Sequence, residues 1–224
     1  MTIDPDSIDA ITFDCFGTLI DWPSGILAVL RPMNERYNLG MPDAELLTRY
    51  AEIEREIESG PYRPYRDVLE RVMRRMFSAA PSYEFATLAD AVATWRPFPD
   101  TLDALRRLKS RYRLGVLSNI DDDLFAPILD KLERSFDAVV TAEQVRSYKP
   151  ADPQFTAALG RLELAPDRVL HAAESRFHDI DPARRLGFRT AWINRGQSAS
   201  GPSSAQPDLT VSSAAELCAA LGLD

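Results

Sequence analysis

The chain has 224 residues, which is enough for one ordinary α/β domain or for a core domain that carries an insertion. Hydrophobic residues make up 45% and charged residues 27%, as in a typical globular protein, and no run approaches the roughly 20 apolar residues of a membrane helix. A formal net charge of −8 disfavours nucleic acids and anionic membrane surfaces as partners. The acidic N-terminus lacks the basic and apolar regions of a secretion signal, so we expect a cytoplasmic location.

A buried strand is predicted near the start of the chain, and it ends in a carboxylate. The run from Ile8 to Phe13 is apolar and β-favouring, Asp14 follows it, and Gly17-Thr18 then predicts a turn. In an open α/β sheet, ligands bind at the carboxyl ends of the strands, so Asp14 lies where a reactive group is expected. An isolated Asp after a strand more often begins a turn. The reactive interpretation therefore depends on the residues that follow the later strands.

A block of helices is predicted directly after this strand. Amphipathic periodicity, interrupted by Gly and Pro residues, predicts helices at residues 24–37, 43–57, 65–77 and 84–95. Two prolines stiffen the segment 96–100, which leads back to the main domain. The sequence thus predicts an all-helical cap domain at residues 22–95, inserted into a core domain made of residues 1–21 and 96–224.

From residue 101 onward, strands and helices alternate. Strands are predicted at residues 113–117, 136–141, 168–173, 189–193 and 209–211. Helices are predicted at residues 101–111, 121–135, 153–162 and 182–186, with a capping box at Ser213 that begins the last helix. The Ser-, Gly- and Pro-rich segment 197–208 is predicted to be a surface loop. This alternation predicts an α/β fold with a doubly wound, Rossmann-like parallel sheet and right-handed crossovers.

Polar groups also follow the later strands of this predicted sheet. They are Ser118 and Asn119 after the second strand, Lys149 in the loop before residue 153, and Glu174 and Asp179 after the fourth strand. Taken singly, each has an ordinary explanation: a turn, a helix cap, a solvated Lys or an acidic helix start. Because the ends of parallel strands meet at one edge of a sheet, we expect all of them to lie beside Asp14.

The segment Asp14-Cys15-Phe16-Gly17-Thr18 resembles the first motif of the haloacid dehalogenase superfamily. In that superfamily the leading Asp is a covalent nucleophile, and the phosphatases carry a second Asp two positions later as a general acid. Phe16 occupies the second position here and cannot donate a proton. A departing halide needs no proton, whereas an alkoxide does, so Phe16 favours cleavage of a carbon–halogen bond.

The resemblance extends to the other strand ends and implies a role for each residue. It implies that Asp14 is the nucleophile, that Lys149 neutralises its charge, and that Asp179 orients Lys149 or places a water molecule. Thr18 is expected to act with these catalytic residues by positioning the nucleophile. The residues expected to contact the substrate are Cys15, Phe16, Ser118, Asn119 and Arg176. For Cys15 a role as a small residue that packs beside the strand end is the preferred explanation, since free Cys often simply packs. The resemblance further implies a small anionic substrate, no cofactor and a homodimer as a possible assembly.

The chain departs from the L-2-haloacid dehalogenase branch at several positions. Phe155 stands where that branch has a Tyr, and Glu174 and Arg176 stand where it has Ser and Asn. In that branch the cap domain also supplies an Arg that binds the halide and the carboxylate of the substrate. The candidates for that Arg in this chain are Arg49, Arg55, Arg63 and Arg66.

Two alternative functions stay open at this point. Glu174 supplies a carboxylate at a position where the metal-independent dehalogenases have none. Asp14, Glu174 and Asp179 would then form an oxygen-rich Mg²⁺ site in a phosphatase that acts on a small phosphate ester. The second alternative is a catalytically silent binding module. The main prediction is hydrolytic dehalogenation of short 2-haloacids through an aspartyl ester, because a missing general acid affects the reaction more directly than an additional carboxylate does.

Overall fold

The computed structural model describes residues 3–196 and 205–223. Six strands of one sheet form the centre of this part of the chain. The strands are β1 (Ala10–Asp14), β2 (Arg113–Ser118), β3 (Ala138–Thr141), β4 (Val169–Ala173), β5 (Arg189–Ile193) and β6 (Leu209–Val211). All neighbouring pairs run parallel in the order β3-β2-β1-β4-β5-β6. This order confirms the predicted doubly wound sheet, in which strands β2 and β3 lie on one side of β1 and strands β4 to β6 lie on the other.

Helices fill the segment between β1 and β2 and cover both faces of the sheet. The first group is α1 (Trp22–Arg36), α2 (Asp43–Glu58), α3 (Tyr65–Met76), α4 (Thr87–Ala91) and α5 (Thr101–Lys109). The second group is α6 (Asp122–Lys131), α7 (Ala142–Val145), α8 (Pro153–Leu162), α9 (Asp181–Arg185) and α10 (Ala214–Ala220). Residues 22–95 contain helices and no named strand, and we call them the helical insertion. The predicted division into two domains at residues 21 and 96 stays a prediction.

The structure corrects several predicted helices. The single helix predicted at 84–95 is wrong, because α4 is flanked there by short 3₁₀ turns at Ser82–Glu84 and Val92–Thr94. No side chain caps α4, while Leu88 and Val92 are fully buried, so tertiary packing outweighs the helical periodicity. The helix predicted at 121–135 ends at Lys131, and Glu133 and Arg134 beyond it adopt positive φ values of 55° and 46°. Most of the predicted loop 197–208 lies outside the described residues.

The register of the sheet brings the functional strand ends together. Asp14 at the end of β1 pairs with Leu117, and Ser118 at the end of β2 pairs with Thr141. Every residue of β1 and β4 is buried, as expected for parallel strands whose two faces are both covered by helices. The polar residues that follow these strands therefore occupy one edge of a rigid sheet.

Asp121 in the loop after β2 joins the sheet to the helical insertion. Its Oδ1 accepts a hydrogen bond from the backbone N–H of Tyr65 at 2.8 Å, and its Oδ2 accepts one from that of Arg66 at 2.9 Å. The residue before α3 is Pro64, whose side chain caps nothing, so Asp121 satisfies the first N–H groups of a helix distant in sequence. The Tyr148 hydroxyl adds a second link by donating to the carbonyl of Arg63 at 2.8 Å.

Replacing Asp121 with Ala should loosen the contact between α3 and the sheet edge. We expect the free energy of unfolding to fall by about 1 kcal/mol, the usual value for a lost helix N-cap. Faster hydrogen exchange at the Tyr65 and Arg66 amides would locate the effect. Asp123→Ala is the matched control, because its side chain is 66% exposed and its ion pair with Arg66 should contribute less than about 0.5 kcal/mol. Equal destabilisation by the two variants would contradict the capping role.

Candidate active site

One buried Lys connects two carboxylates at the edge of the sheet. The Nζ of Lys149 lies 2.7 Å from Oδ1 of Asp14 and 2.7 Å from Oδ1 of Asp179, and it donates a third hydrogen bond to the carbonyl of Leu117 at 3.0 Å. Asp14 is the last residue of β1, and Asp179 lies in the short helical turn after β4. Lys149 is 2% exposed and Asp179 is 1% exposed. Three of the four predicted catalytic residues thus form one ion triad shielded from bulk water, and Thr18 is the fourth.

The charges of the triad are set by a balance between burial and pairing. Burial raises the pKa of Asp14, and the nearby charge of Lys149 opposes this rise. Burial also opposes ionisation of Asp179, but Lys149 and His171 outweigh it and lower its pKa to about 2. For Lys149 the two carboxylates outweigh burial and raise the pKa above its ordinary value. Lys149 is therefore a fixed cation, and Asp14 depends on it to stay ionised.

Thr18 fixes the second oxygen of Asp14. Its hydroxyl donates to Oδ2 of Asp14 at 2.8 Å and accepts a hydrogen bond from the backbone N–H of Glu174 at 2.9 Å. The turn between Asp14 and Thr18 requires Gly17, whose φ is +95° and whose hypothetical Cβ would lie 2.8 Å from Nε1 of Trp22. Lys149 and Thr18 together hold the Asp14 carboxylate in one orientation, as a nucleophile requires.

His171 supports Asp179 from beneath the site. Its Nε2 lies 3.0 Å from Oδ1 of Asp179, and its Nδ1 lies 2.9 Å from the hydroxyl of Thr12. Because the ionised Asp179 accepts hydrogen bonds only, the ring donates to it from Nε2. The ring of Phe155, the residue that replaces the expected Tyr, packs edge-on against His171 at 5.2 Å. The Phe at this position therefore contributes to the core beneath the triad.

A cavity of about 120 Å³ lies above Asp14, between the sheet edge and the helical insertion. The predicted site residues that line it are Asp14, Phe16, Asn119, Lys149, Glu174 and Asp179. Asn119 is held by its surroundings, because its Oδ1 accepts from the Lys149 N–H and its Nδ2 donates to Oε2 of Glu58. The Ser118 hydroxyl is fully buried with no hydrogen-bond partner and does not line the cavity.

Besides Ser118, two predicted substrate-binding residues, Cys15 and Arg176, do not line the cavity. Cys15 is fully buried in the apolar core, and burial raises the pKa of its thiol, so it matches the alternative interpretation as a packing residue. The Arg176 guanidinium lies 5.3 Å from the ring centre of Trp192 and donates to the carbonyl of Ala205 at 2.6 Å. Arg176 is thus engaged with Trp192 and Ala205 and is not among the residues that line the cavity.

Among the Arg residues proposed to receive the substrate, Arg55 of α2 lines the cavity and the other three do not. Arg66 pairs with Asp90 and Asp123, and Arg63 lies 3.6 Å from Asp67. Arg55 lies on a face of α2 whose other residues were not predicted to be functional. Other cavity residues from that face are Tyr50, Ala51, Glu54 and Glu58. The spacing of four between Tyr50, Glu54 and Glu58 is the sequence signal that would have placed them on one side of the helix.

The predicted Mg²⁺ ligands do not form a metal site. In residues 3–196 and 205–223, no group of three or more His, Cys, Asp or Glu side chains is arranged to hold a metal ion. The Lys149 ammonium lies between Asp14 and Asp179, where it neutralises the carboxylates that a cation would need. Across the same ranges, no helix combines the length and the apolar character needed to cross a membrane.

Comparison with known proteins agrees with this geometry. The family model of haloacid dehalogenase-like hydrolases matches residues 8–187. The chain is 28% identical to (S)-2-haloacid dehalogenase 4A of Burkholderia cepacia, covering 85% of this chain and 84% of that protein. It is 26% identical to (S)-2-haloacid dehalogenase of Pseudomonas putida, covering 94% and 95%.

Solved structures share the fold. L-2-haloacid dehalogenase from Xanthobacter autotrophicus, solved with chloropropionic acid covalently bound, superposes with a TM-score of 0.77 and 20% identity, covering 94% of this chain and 96% of that one. At this level of identity the likeness establishes the fold. Together with the family match over most of its length, it shows that the chain belongs to the haloacid dehalogenase-like hydrolases.

Proposed function

We propose that the chain hydrolyses the carbon–halogen bond of short 2-haloacids, with Asp14 as the nucleophile. The observation that carries this proposal is the pairing of a fixed Asp14 carboxylate with Phe16 two residues later. The Phe16 ring packs edge-on against Trp95 at 5.2 Å, so an aromatic ring lines the cavity at the position of the phosphatase acid. A halide leaves as a stable anion, so this site can expel it without a proton donor.

In the first half-reaction, an Asp14 oxygen bonds to the α-carbon as the carbon–halogen bond breaks and the halide departs. In the second, water attacks the Asp14 carbonyl carbon, which releases a 2-hydroxy acid and a proton and restores the carboxylate. Lys149 stabilises the negative charge that develops during both steps. Asp179 holds Lys149 through Oδ1, while its buried Oδ2 has no hydrogen-bond partner and suits a water molecule that attacks the ester.

The substrate implied by this chemistry is a small molecule, and neither half-reaction requires a metal ion. The relatives named above are (S)-2-haloacid dehalogenases, which supports the same bond type and substrate class for this chain. We also propose that the protein acts in the cytoplasm.

A single-turnover reaction in H₂¹⁸O tests the proposal. With enzyme in excess over 2-chloropropionate, the peptide containing Asp14 should gain ¹⁸O, and chloride should appear with or without a chelator. A panel of chloro-, bromo- and fluoroacids should be run beside a generic phosphate ester. A different result would identify a metal-dependent phosphatase: the phosphate ester is hydrolysed, a chelator stops that hydrolysis, and none of the haloacids releases halide. Inactivity toward both classes would favour a binding module.

A further inference from the structure

Three polar side chains lie next to one another on neighbouring strands of the sheet. Thr12 of β1 is the register partner of His171 of β4, and His171 is in turn the register partner of Thr190 of β5. All three residues are fully buried. Register partners on parallel strands point to the same face of a sheet, so these side chains form one row inside the protein. Buried polar groups need hydrogen-bond partners, and the partners show what the row does.

The hydrogen bonds divide the row into two parts. The hydroxyl of Thr12 lies 2.9 Å from Nδ1 of His171, and Nε2 of the same ring lies 3.0 Å from Oδ1 of Asp179. The hydroxyl of Thr190 instead donates to Oδ2 of Asp208 at 3.0 Å. Thr12 and His171 are therefore connected to the triad, whereas Thr190 pairs with a different carboxylate.

Apolar packing holds the ring of His171 in place. The ring of Phe155 packs edge-on against it at 5.2 Å, and the ring of Phe188 does the same at 6.3 Å. Each ring nitrogen has one hydrogen-bond partner, so packing and hydrogen bonding together determine the orientation of the ring. A side chain that is locked in this way can fix the orientation of a neighbouring functional group.

Asp179 receives two of its hydrogen bonds on the same oxygen. Nζ of Lys149 lies 2.7 Å from its Oδ1, and Nε2 of His171 lies 3.0 Å from that atom. Oδ2 is buried and has no hydrogen-bond partner within the part of the chain that the structure describes. Two donors from different elements restrict rotation of the carboxylate. Asp179 lines the cavity, so its Oδ2 is the oxygen that a water molecule there can use as an acceptor.

The Asp14 carboxylate is held without His171. Lys149 donates to its Oδ1 at 2.7 Å, and Thr18 donates to its Oδ2 at 2.8 Å. Formation of the ester needs Asp14 in position, whereas hydrolysis of the ester also needs a water molecule in position. Loss of the His171 hydrogen bond should therefore affect hydrolysis more strongly than ester formation.

We propose that His171, held by Thr12, is a positioning residue for hydrolysis of the aspartyl ester. The inference rests on the proposed function, in which a water oxygen adds to the ester carbonyl carbon of Asp14. The bond from this carbon to the substrate oxygen then breaks. That oxygen takes one of the water protons, and the other proton is released as the carboxylate forms again. His171 does not line the cavity and acts through Asp179, which accepts a hydrogen bond from the water.

The two half-reactions can be timed separately in a single turnover of 2-chloropropionate. Chloride release reports ester formation, and loss of the adduct from the Asp14 peptide, followed by mass spectrometry after quenching, reports hydrolysis. His171→Leu should slow hydrolysis by about tenfold or more, because a hydrogen bond to an ionised carboxylate is lost. It should slow ester formation by less than about threefold, so the ester should accumulate.

Three further variants separate positioning from packing. His171→Gln retains an N–H donor and should recover part of the hydrolysis rate that His171→Leu loses. Thr12→Val keeps the branched shape of the side chain but removes its hydroxyl, and it should slow hydrolysis selectively. Thr190→Val is the matched control, because it removes the neighbouring hydroxyl that pairs with Asp208, and it should leave the ratio of the two rates unchanged.

Equal slowing of both half-reactions by His171→Leu would overturn the inference, and so would equal changes in the rate ratio for Thr12→Val and Thr190→Val. If His171→Leu fails to fold, the comparison of these two Thr variants decides.

Crystal structures separate this inference from the proposed reaction. In the His171→Leu variant the Asp179 carboxylate should rotate about its side-chain bond, whereas in Thr190→Val it should keep its orientation. If the unmodified protein releases no halide but the carboxylate rotates in His171→Leu, the dehalogenase proposal fails while the positioning role stands. An unchanged Asp179 in His171→Leu would overturn the positioning role whatever the activity. If His171→Leu does not fold, His171→Gln and Thr12→Val supply the structures for this comparison.

Discussion

Asp14→Asn should reduce halide release by about 10⁴-fold or more, because an amide cannot form the ester through which the reaction proceeds. The substitution preserves the size of the side chain, so the Thr18 hydroxyl can still form a hydrogen bond with the amide at position 14. The fold should therefore persist. We expect the loss in kcat, measured by chloride release, and no ¹⁸O in the corresponding peptide after a single turnover. If the unmodified protein and the Asp14→Asn variant unfold at the same temperature, the loss of activity comes from the missing nucleophile and not from unfolding.

Asp130→Asn is the matched control for that substitution. Asp130 lies on α6, where its side chain is 63% exposed and forms an ion pair with Arg134 on the surface. Its replacement should leave chloride release unchanged and alter the free energy of unfolding by less than about 0.5 kcal/mol. Appreciable residual activity after Asp14→Asn would contradict a covalent aspartyl ester and would require another nucleophile.

Much of the sheet could be predicted from sequence because its strands are short apolar runs bounded by turns. The predicted strands at 189–193 and 209–211 coincide with β5 and β6, and the predicted helix at 153–162 coincides with α8. The meeting of Asp14, Lys149 and Asp179 follows from the same reasoning, since parallel strands end at one edge. Local pattern and topology were sufficient for these features.

The wall of the cavity could not be predicted in the same way. An acidic residue on an amphipathic helix is normally solvated, as Glu45 and Glu52 are, and sequence alone did not separate them from Glu54 and Glu58. The difference depends on which face of α2 meets the sheet edge, and that is decided by tertiary packing. The position of Arg176 could not be predicted for the same reason, because its stacking on Trp192 depends on the neighbouring strand β5.

Lys149→Met should have the second large effect, and it should affect both catalysis and stability. We expect kcat/KM to fall on the order of 10³-fold, because the charge that stabilises the attacking and leaving groups is lost. Removing one partner from a buried ion cluster should also lower the free energy of unfolding at pH 7 by about 3–5 kcal/mol. Lys109→Met is the control, since the Lys109 side chain is 43% exposed and its loss should leave activity intact.

The pH dependence distinguishes this electrostatic cause from a simple loss of packing. With Lys149 present, the pKa of Asp179 is about 2, so Asp179 contributes stability above its unfolded value and loses it as the pH falls toward 2. Without Lys149, the charge that opposes desolvation is lost, so we expect the pKa of Asp179 to rise and that of Asp14 to rise further. The cost of Lys149→Met should then be greatest at pH 7 and should shrink as the pH falls and the carboxylates become protonated. Urea unfolding at pH 7 and pH 5 measures this difference, and a deficit that is the same at both pH values would show that Lys149 acts through packing alone.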